Sequence, residues 1–133
     1  MKDSLKAGVL SEVRHMVDET RAISFMGDDL RVYATPSIVH DLEYACRDLI
    51  AAHLGEGQDS VGARVEIDHI KPTPMGHEVR HMITIEKVDG RSVTCTVEVF
   101  DSVEKVAQAR HTRFVVDVAR LKKAVAQKRE MLG

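Results

Sequence analysis

The chain has 133 residues, 44% hydrophobic and 30% charged, with a formal net charge of -2. That length supports one core rather than two independent ones, the composition is that of a water-soluble globular chain, and the near-neutral charge argues against a nucleic-acid surface. The start, MKDSLKAGVLSEV, holds an acidic residue and no apolar run of signal-peptide length, and nothing downstream has the length of a membrane span, so the expected location is cytoplasmic, away from membranes.

From the N-terminus, KAGVLSEVRHMV reads as a first extended stretch and DETRAISFMGDDLRV as an irregular one. YATPSIVHDLEYACRDLIAAHLGEGQDS then carries the one strong helix of the first half. Thr35 is its expected N-cap, Pro36 suits the first helical position, and Gly55 and Gly57 follow its last apolar residue. On a helical projection Ile38, Leu42, Ala45, Cys46, Leu49 and Ile50 share one wide arc, whereas Asp41, Arg47 and Asp48 lie elsewhere.

Four extended segments follow: SVGARVEIDHI, HEVRHMITIEKV, RSVTCTVEVF and KVAQARHTRFVVD. Asp89-Gly90 is a two-residue hairpin signal and Asp101-Ser102 supplies the next reversal, so the run reads as an antiparallel meander. The tail, DVARLKKAVAQKREML, spaces Val118, Leu121, Val125 and Leu132 as a second, more exposed helix. A strand, a long buried helix and a run of antiparallel strands make an α+β plan for one domain spanning 1–133. In it the sheet wraps its apolar face around a central helix, the hot-dog arrangement. Periodicity gives this order of elements without selecting that fold over other α+β sheets.

Within the second extended segment, HEVRH (His77 to His81) matches the HExxH pattern of zinc proteases. The pattern needs a helix, on which residues four apart converge on one metal. Here Pro72, Pro74 and Gly76 precede it, and Val79, His81, Ile83 and Ile85 recur at every second position, the period of a strand. Two histidines four apart on a strand lie about 13 Å apart and cannot share a zinc, so no metal is expected and the pair reads as a surface or interface feature. Cys46 and Cys95 form no CxxC and read as buried small hydrophobes.

Two polar residues fall among apolar ones. Glu43 projects at the rim of the buried helical stripe, close to Val39, Ile50 and Leu54. A carboxylate there either finds donors, Arg47 at i+4 being the local choice, or serves as a base or nucleophile. His69 continues the alternation Val61, Ala63, Val65, Ile67 and so sits on an apolar face, as a hydrogen-bonded core residue or a catalyst. A sheet wrapped on a helix lets these two meet in a small, mostly dry cavity, together with Thr35 two helical turns before Glu43.

VYATPSIVHDLEYAC, SVGARVEIDHIKPTPMG, VDGRSVTCTVEVFD and HTRFVVD, in this order and spacing, resemble the fluoroacetyl-CoA thioesterase-like family of hot-dog proteins from Val32 to about Val125. The resemblance implies hydrolysis of an acyl-CoA thioester by a homodimer with active sites near the subunit interface. Coenzyme A enters only as part of the substrate, and no separate cofactor is expected. By position Thr35, Glu43 and His69 match the family's catalytic residues, Gly62 a glycine near the bound thioester and Arg113 a substrate-side arginine. The chemistry fits these residue types: Glu43 attacks the carbonyl or activates water, Thr35 orients it, His69 transfers a proton and the Gly62 amide faces the oxyanion. Where relatives that favour the fluorinated substrate carry lid phenylalanines, this chain has Met26 and Asp29, which points away from fluoroacetyl selectivity. Pro36 and Ala109-Arg110 are further departures. The rival reading is a non-catalytic acyl-CoA or small-ligand binding module of the same fold. A hydratase is disfavoured because His40 and Asp41 are adjacent rather than a turn apart.

Overall fold

A computed structural model describes residues 1–133. Strand β1 (Leu10–Met16) leads through an irregular segment with one 3-10 turn to helix α1 (Thr35–Ala51). Strands β2 (Gln58–His69), β3 (Glu78–Asp89), β4 (Ser92–Phe100) and β5 (Lys105–Asp117) follow, and helix α2 (Val118–Leu132) ends the chain. All five strands form one antiparallel sheet in the order β1-β3-β4-β5-β2.

The meander expected for all four later strands holds only for β3, β4 and β5, joined by hairpins at Asp89–Ser92 and Phe100–Lys105. β2 pairs with β5 at one edge and β1 with β3 at the other. The physical reason is α1. A helix laid across the apolar face separates β1 from β2, so the chain passes from one edge of the sheet to the other before the meander fills the middle. The helix buries Ile38, Leu42, Ala45, Cys46 and Ile50 against Val79, Ile83, Ile85, Val93, Cys95, Val97, Val99, Val106, Ala107 and Val115 of β3, β4 and β5. Cys46 and Cys95 are free thiols with no exposed surface, as their spacing suggested.

Two side chains depart from the helical and strand projections, and a third, His81, follows its alternation but not the surface or interface reading given to it. Asp41, placed off the apolar arc, is buried. The Arg21 guanidinium donates to both of its oxygens, at 2.9 Å and 3.2 Å, and the buried Tyr33 hydroxyl donates to Oδ2 at 2.5 Å. Those partners come from the irregular segment before α1, and a paired, hydrogen-bonded carboxylate tolerates burial. His81 is likewise buried rather than on the surface, with Nε2 3.0 Å from the Tyr33 hydroxyl, while His77 is exposed just before β3. HEVRH is thus the approach to a strand and its first turns of pleat, not a helix.

The other departure lies in β2. Gly62 pairs with Arg113 and Arg64 with Thr112, leaving Ala63 as the extra residue of a bulge. The bulge reverses the alternation. Val65, Ile67 and His69 lie opposite His111, Ala109 and Ala107 on the face toward the helix, but Val61 lies opposite the exposed Phe114 on the other. The single apolar face from Val61 to His69 therefore does not exist; Ser60 and Gly62 take the inward positions before the bulge. α2 buries no residue and leaves Leu121 and Val125 partly open, in keeping with its sparse apolar spacing.

Candidate active site

The seam between α1 and β2, with Arg113 reaching it from β5, brings Thr35, Glu43, Gly62, His69 and Arg113 together in two groups. Thr35 is the first residue of the helix and not its cap: Ala34 takes that position and no side chain caps it. The Thr35 hydroxyl is left for His69, whose Nδ1 lies 2.7 Å from Oγ1. Burial pushes the His69 imidazole below its ordinary pKa, opposed by a backbone contact at Lys71, so the ring is neutral near pH 7. Its Nε2 is buried and has no hydrogen-bond partner in the protein, a donor or acceptor position open to a bound molecule.

Two turns along α1, Glu43 projects over β2. Its i+4 neighbour Arg47 is engaged elsewhere, donating to Asp59 Oδ1 at 3.0 Å and Oδ2 at 2.6 Å. Glu43 instead faces Arg113, with Oε1 3.7 Å from Nη1; its own side chain is 43% exposed and that of Arg113 only 7%. It also rests directly on Gly62, where an added Cβ would lie 2.5 Å from Oε1. Glu43, Tyr44, Arg47, Ser60, Val61, Gly62 and Arg113 line an open cleft of ≈ 330 Å³ with both polar and apolar walls.

Arg113 is held by donation from Nε to Ser60 Oγ at 2.8 Å and from Nη2 to the Ser60 carbonyl at 2.7 Å. Its Nη1 lies 3.2 Å from His111 Nε2, and His111 Nδ1 lies 2.8 Å from the Arg64 carbonyl. Ser60 and His111 escaped the sequence reading. The available signal was alternation: Ser60 is two before Gly62 and His111 two before Arg113, so each shares a face with a residue already chosen.

The single chain therefore unites Glu43, Gly62 and Arg113, and separately Thr35 and His69. No hydrogen bond or ion pair joins the groups, and His69 does not line the cleft at Glu43. The expected shared dry cavity is instead an open cleft beside a hydroxyl–imidazole pair. Thr35 and Glu43 are two turns apart on α1, about 12 Å along the helix axis, so the two groups lie in succession along one side of the helix. A carboxylate, a neutral imidazole with a hydroxyl partner and a fixed guanidinium can together move a proton and stabilise a developing oxyanion.

Comparison with known proteins bears on the family and the fold. The sequence profile of the fluoroacetyl-CoA-specific thioesterase family matches residues 17–119. The fluoroacetyl-CoA thioesterase of Streptantibioticus cattleyicolor is 28% identical over 116 residues, 87% of this chain and 81% of that one. Among solved structures, a hot-dog-like protein from Thermanaerovibrio acidaminovorans superposes with a TM-score of 0.86 at 23% identity, covering 92% of this chain and 91% of its own. A fluoroacetyl-CoA thioesterase does so with a TM-score of 0.84 at 24% identity, covering 95% and 98%. These likenesses establish the hot-dog fold.

Proposed function

Because the chain belongs to the fluoroacetyl-CoA-specific thioesterase family, we propose that it hydrolyses a short or substituted acyl-CoA to the free acid and coenzyme A, using Glu43, Thr35 and His69. The observation that carries this is the Glu43 carboxylate, packed on a residue without a side chain and facing a buried guanidinium in an open cleft. Such a carboxylate has a cation beside it and stays reachable by substrate.

In this reading the acyl group lies between Glu43 and the Thr35–His69 pair. Glu43 attacks the thioester carbon or takes a proton from the water that does. The carbon–sulfur bond breaks as the tetrahedral species collapses, and coenzyme A leaves as a thiolate that needs little protonation; where Glu43 itself attacks, water then cleaves the acyl–Glu43 anhydride, releasing the acid and restoring the carboxylate. The His69 imidazole, neutral and oriented by Thr35, exchanges the proton. The Gly62 backbone faces the oxyanion, and Arg113 contributes positive charge from beneath it. Coenzyme A is part of the substrate.

A second copy completes the site. β2 is an edge strand; Tyr44 and Val61 line the Glu43 cleft at 58% and 37% exposure, and Phe114, paired with Val61 from β5, is 46% exposed. An unpaired edge with apolar neighbours is covered most simply by a second identical edge, giving a homodimer. Monomers in light scattering at micromolar concentration would contradict this. No helix is long and apolar enough to cross a membrane; a cytoplasmic location is the reading that suits two free buried thiols.

The test follows free thiol during incubation with acyl-CoAs of graded length and substitution. The wild type releases thiol, and Glu43→Gln lowers the rate at least about 100-fold while acyl-CoA still binds. Undiminished hydrolysis by Glu43→Gln would remove Glu43 from its role. Binding without thiol release by the wild type would favour the non-catalytic module.

A further inference from the structure

The β2 bulge at Ala63 follows directly on Gly62, which lies beneath Glu43; a bulged residue is left out of the ladder, and a glycine beside it has no side chain to anchor it. Both flanks of Gly62 are nevertheless fixed from β5. On one side Arg113 binds Ser60 through its hydroxyl and its carbonyl. On the other, His111 binds the Arg64 carbonyl. His111 and Arg113 bind each other, and both are buried.

The partners of His111 settle its chemistry. A backbone carbonyl only accepts, so Nδ1 carries the proton; a guanidinium only donates, so Nε2 offers a lone pair. Both bonds exist together only in the neutral ring with the proton on Nδ1. A charged imidazole would turn a donor toward Arg113. Burial and the neighbouring guanidinium disfavour that charge, against the Arg64 carbonyl and Glu43. The ring also lies directly under the glycine, since a Cβ on Gly62 would come 3.3 Å from His111 Cε1.

We infer that His111 is a positioning residue for the thioesterase reaction, its two ring nitrogens linking the Arg64 carbonyl of the β2 bulge to the Arg113 guanidinium and so fixing Gly62 against Glu43. The inference rests on the hydrolase reading above. His111 touches no substrate; it holds the backbone that faces the oxyanion and the cation that faces the carboxylate. Asn at this position keeps a donor near the Nδ1 location and loses the acceptor for Arg113, whereas Phe keeps the bulk and loses both.

The experiment has two arms. In the first, nitrogen NMR of wild-type protein labelled in histidine reads the state of His111: the neutral Nδ1–H tautomer at pH 7 is expected, and an Nε2–H or charged ring would overturn the inference even if no variant folds. In the second, His111→Asn and His111→Phe are compared with Ile83→Val, a core change remote from β2. The expected result is a fall in kcat of about tenfold for Asn and about 100-fold for Phe, with KM within a factor of three. Ile83→Val lowers Tm without changing kcat, which separates positioning from loss of stability. Folded His111→Phe with wild-type kcat would overturn the inference and leave the hydrolase reading standing. A wild type that hydrolyses no acyl-CoA would overturn both.

Discussion

Adding one carbon to Gly62 tests the geometry of the site more sharply than removing any polar group from it. In Gly62→Ala the new Cβ would lie 2.5 Å from Glu43 Oε1, 3.3 Å from His111 Cε1 and 3.5 Å from Arg113 Nη1. Ordinary contact begins at 3.4 Å, so the carboxylate must retreat by about 0.9 Å while the His111 ring yields by a tenth. Glu43 is the end of a flexible, partly exposed side chain and can swing aside, so little strain reaches the core. Gly62 does not have the positive φ that would make alanine costly, and alanine gains about 0.4–1 kcal/mol by restricting the unfolded chain. Stability should therefore change by less than about 1 kcal/mol. Activity should not be spared. A misplacement of about 1 Å costs on the order of 100-fold, or about 2.7 kcal/mol of activation free energy, so kcat/KM for acyl-CoA should fall by that factor. The assay pairs thiol release with urea denaturation, and Gly55→Ala, which meets only Gln58 Oε1 at 3.4 Å, serves as the control. Gly62→Ala with unchanged stability and activity within twofold of wild type would refute the claim that the Glu43 position matters.

The Thr35–His69 bond and the buried histidines give two further expectations. Thr35 does not cap α1, so Thr35→Val should cost less than about 0.5 kcal/mol of stability, yet lower kcat about tenfold or more by freeing His69, while Thr35→Ser keeps the hydroxyl and most activity. Loss of helix stability comparable to a removed cap would contradict the assignment. His81 is fully buried and its pKa is pushed down to about 4 from 6.5, chiefly by burial. The unfolded chain therefore binds a proton that the folded one refuses, and stability, intact above pH 6.5, falls by about 3 kcal/mol as pH drops toward 4. His69 and His111 shift in the same direction and steepen the loss. Depressed carboxylates such as Asp41 and Asp59 act in a separate window, as pH falls below 3.8. Urea midpoints measured from pH 7.5 to 4 check this: the slope should flatten in His81→Leu, and a flat wild-type profile would refute it.

The strands and the long helix were legible because their cause is periodicity, and α1 and β5 begin and end close to where the pattern placed them. What escaped was set by partners distant in sequence. Asp41 looked like a solvent-facing residue because nothing near it announces Arg21 and Tyr33, which arrive from the segment before the helix. His81 shares the alternation of its buried neighbours, yet read as a surface or interface histidine because its partner Tyr33 is equally distant in sequence. The bulge at Ala63 is invisible to an alternation rule, since one extra residue leaves the letters unchanged and reverses the faces on either side. Thus His69 was placed correctly on the inner face and Val61 was not, from one pattern. The family resemblance located Gly62 and Arg113, but the reason for a glycine there, the carboxylate resting on it, required coordinates.

The order of strands ties the reactive seam to the slowest part of assembly. β3, β4 and β5 join through short hairpins that close over a few residues, whereas Gly62 meets Arg113 and Val13 meets His81 only after long stretches of chain are brought round. Closing such distant pairs costs more chain entropy and is intrinsically slow. The hairpins form the template against which α1 and β2 pack, so the pairing of Gly62 with Arg113 at the sheet edge depends on contacts made far from it.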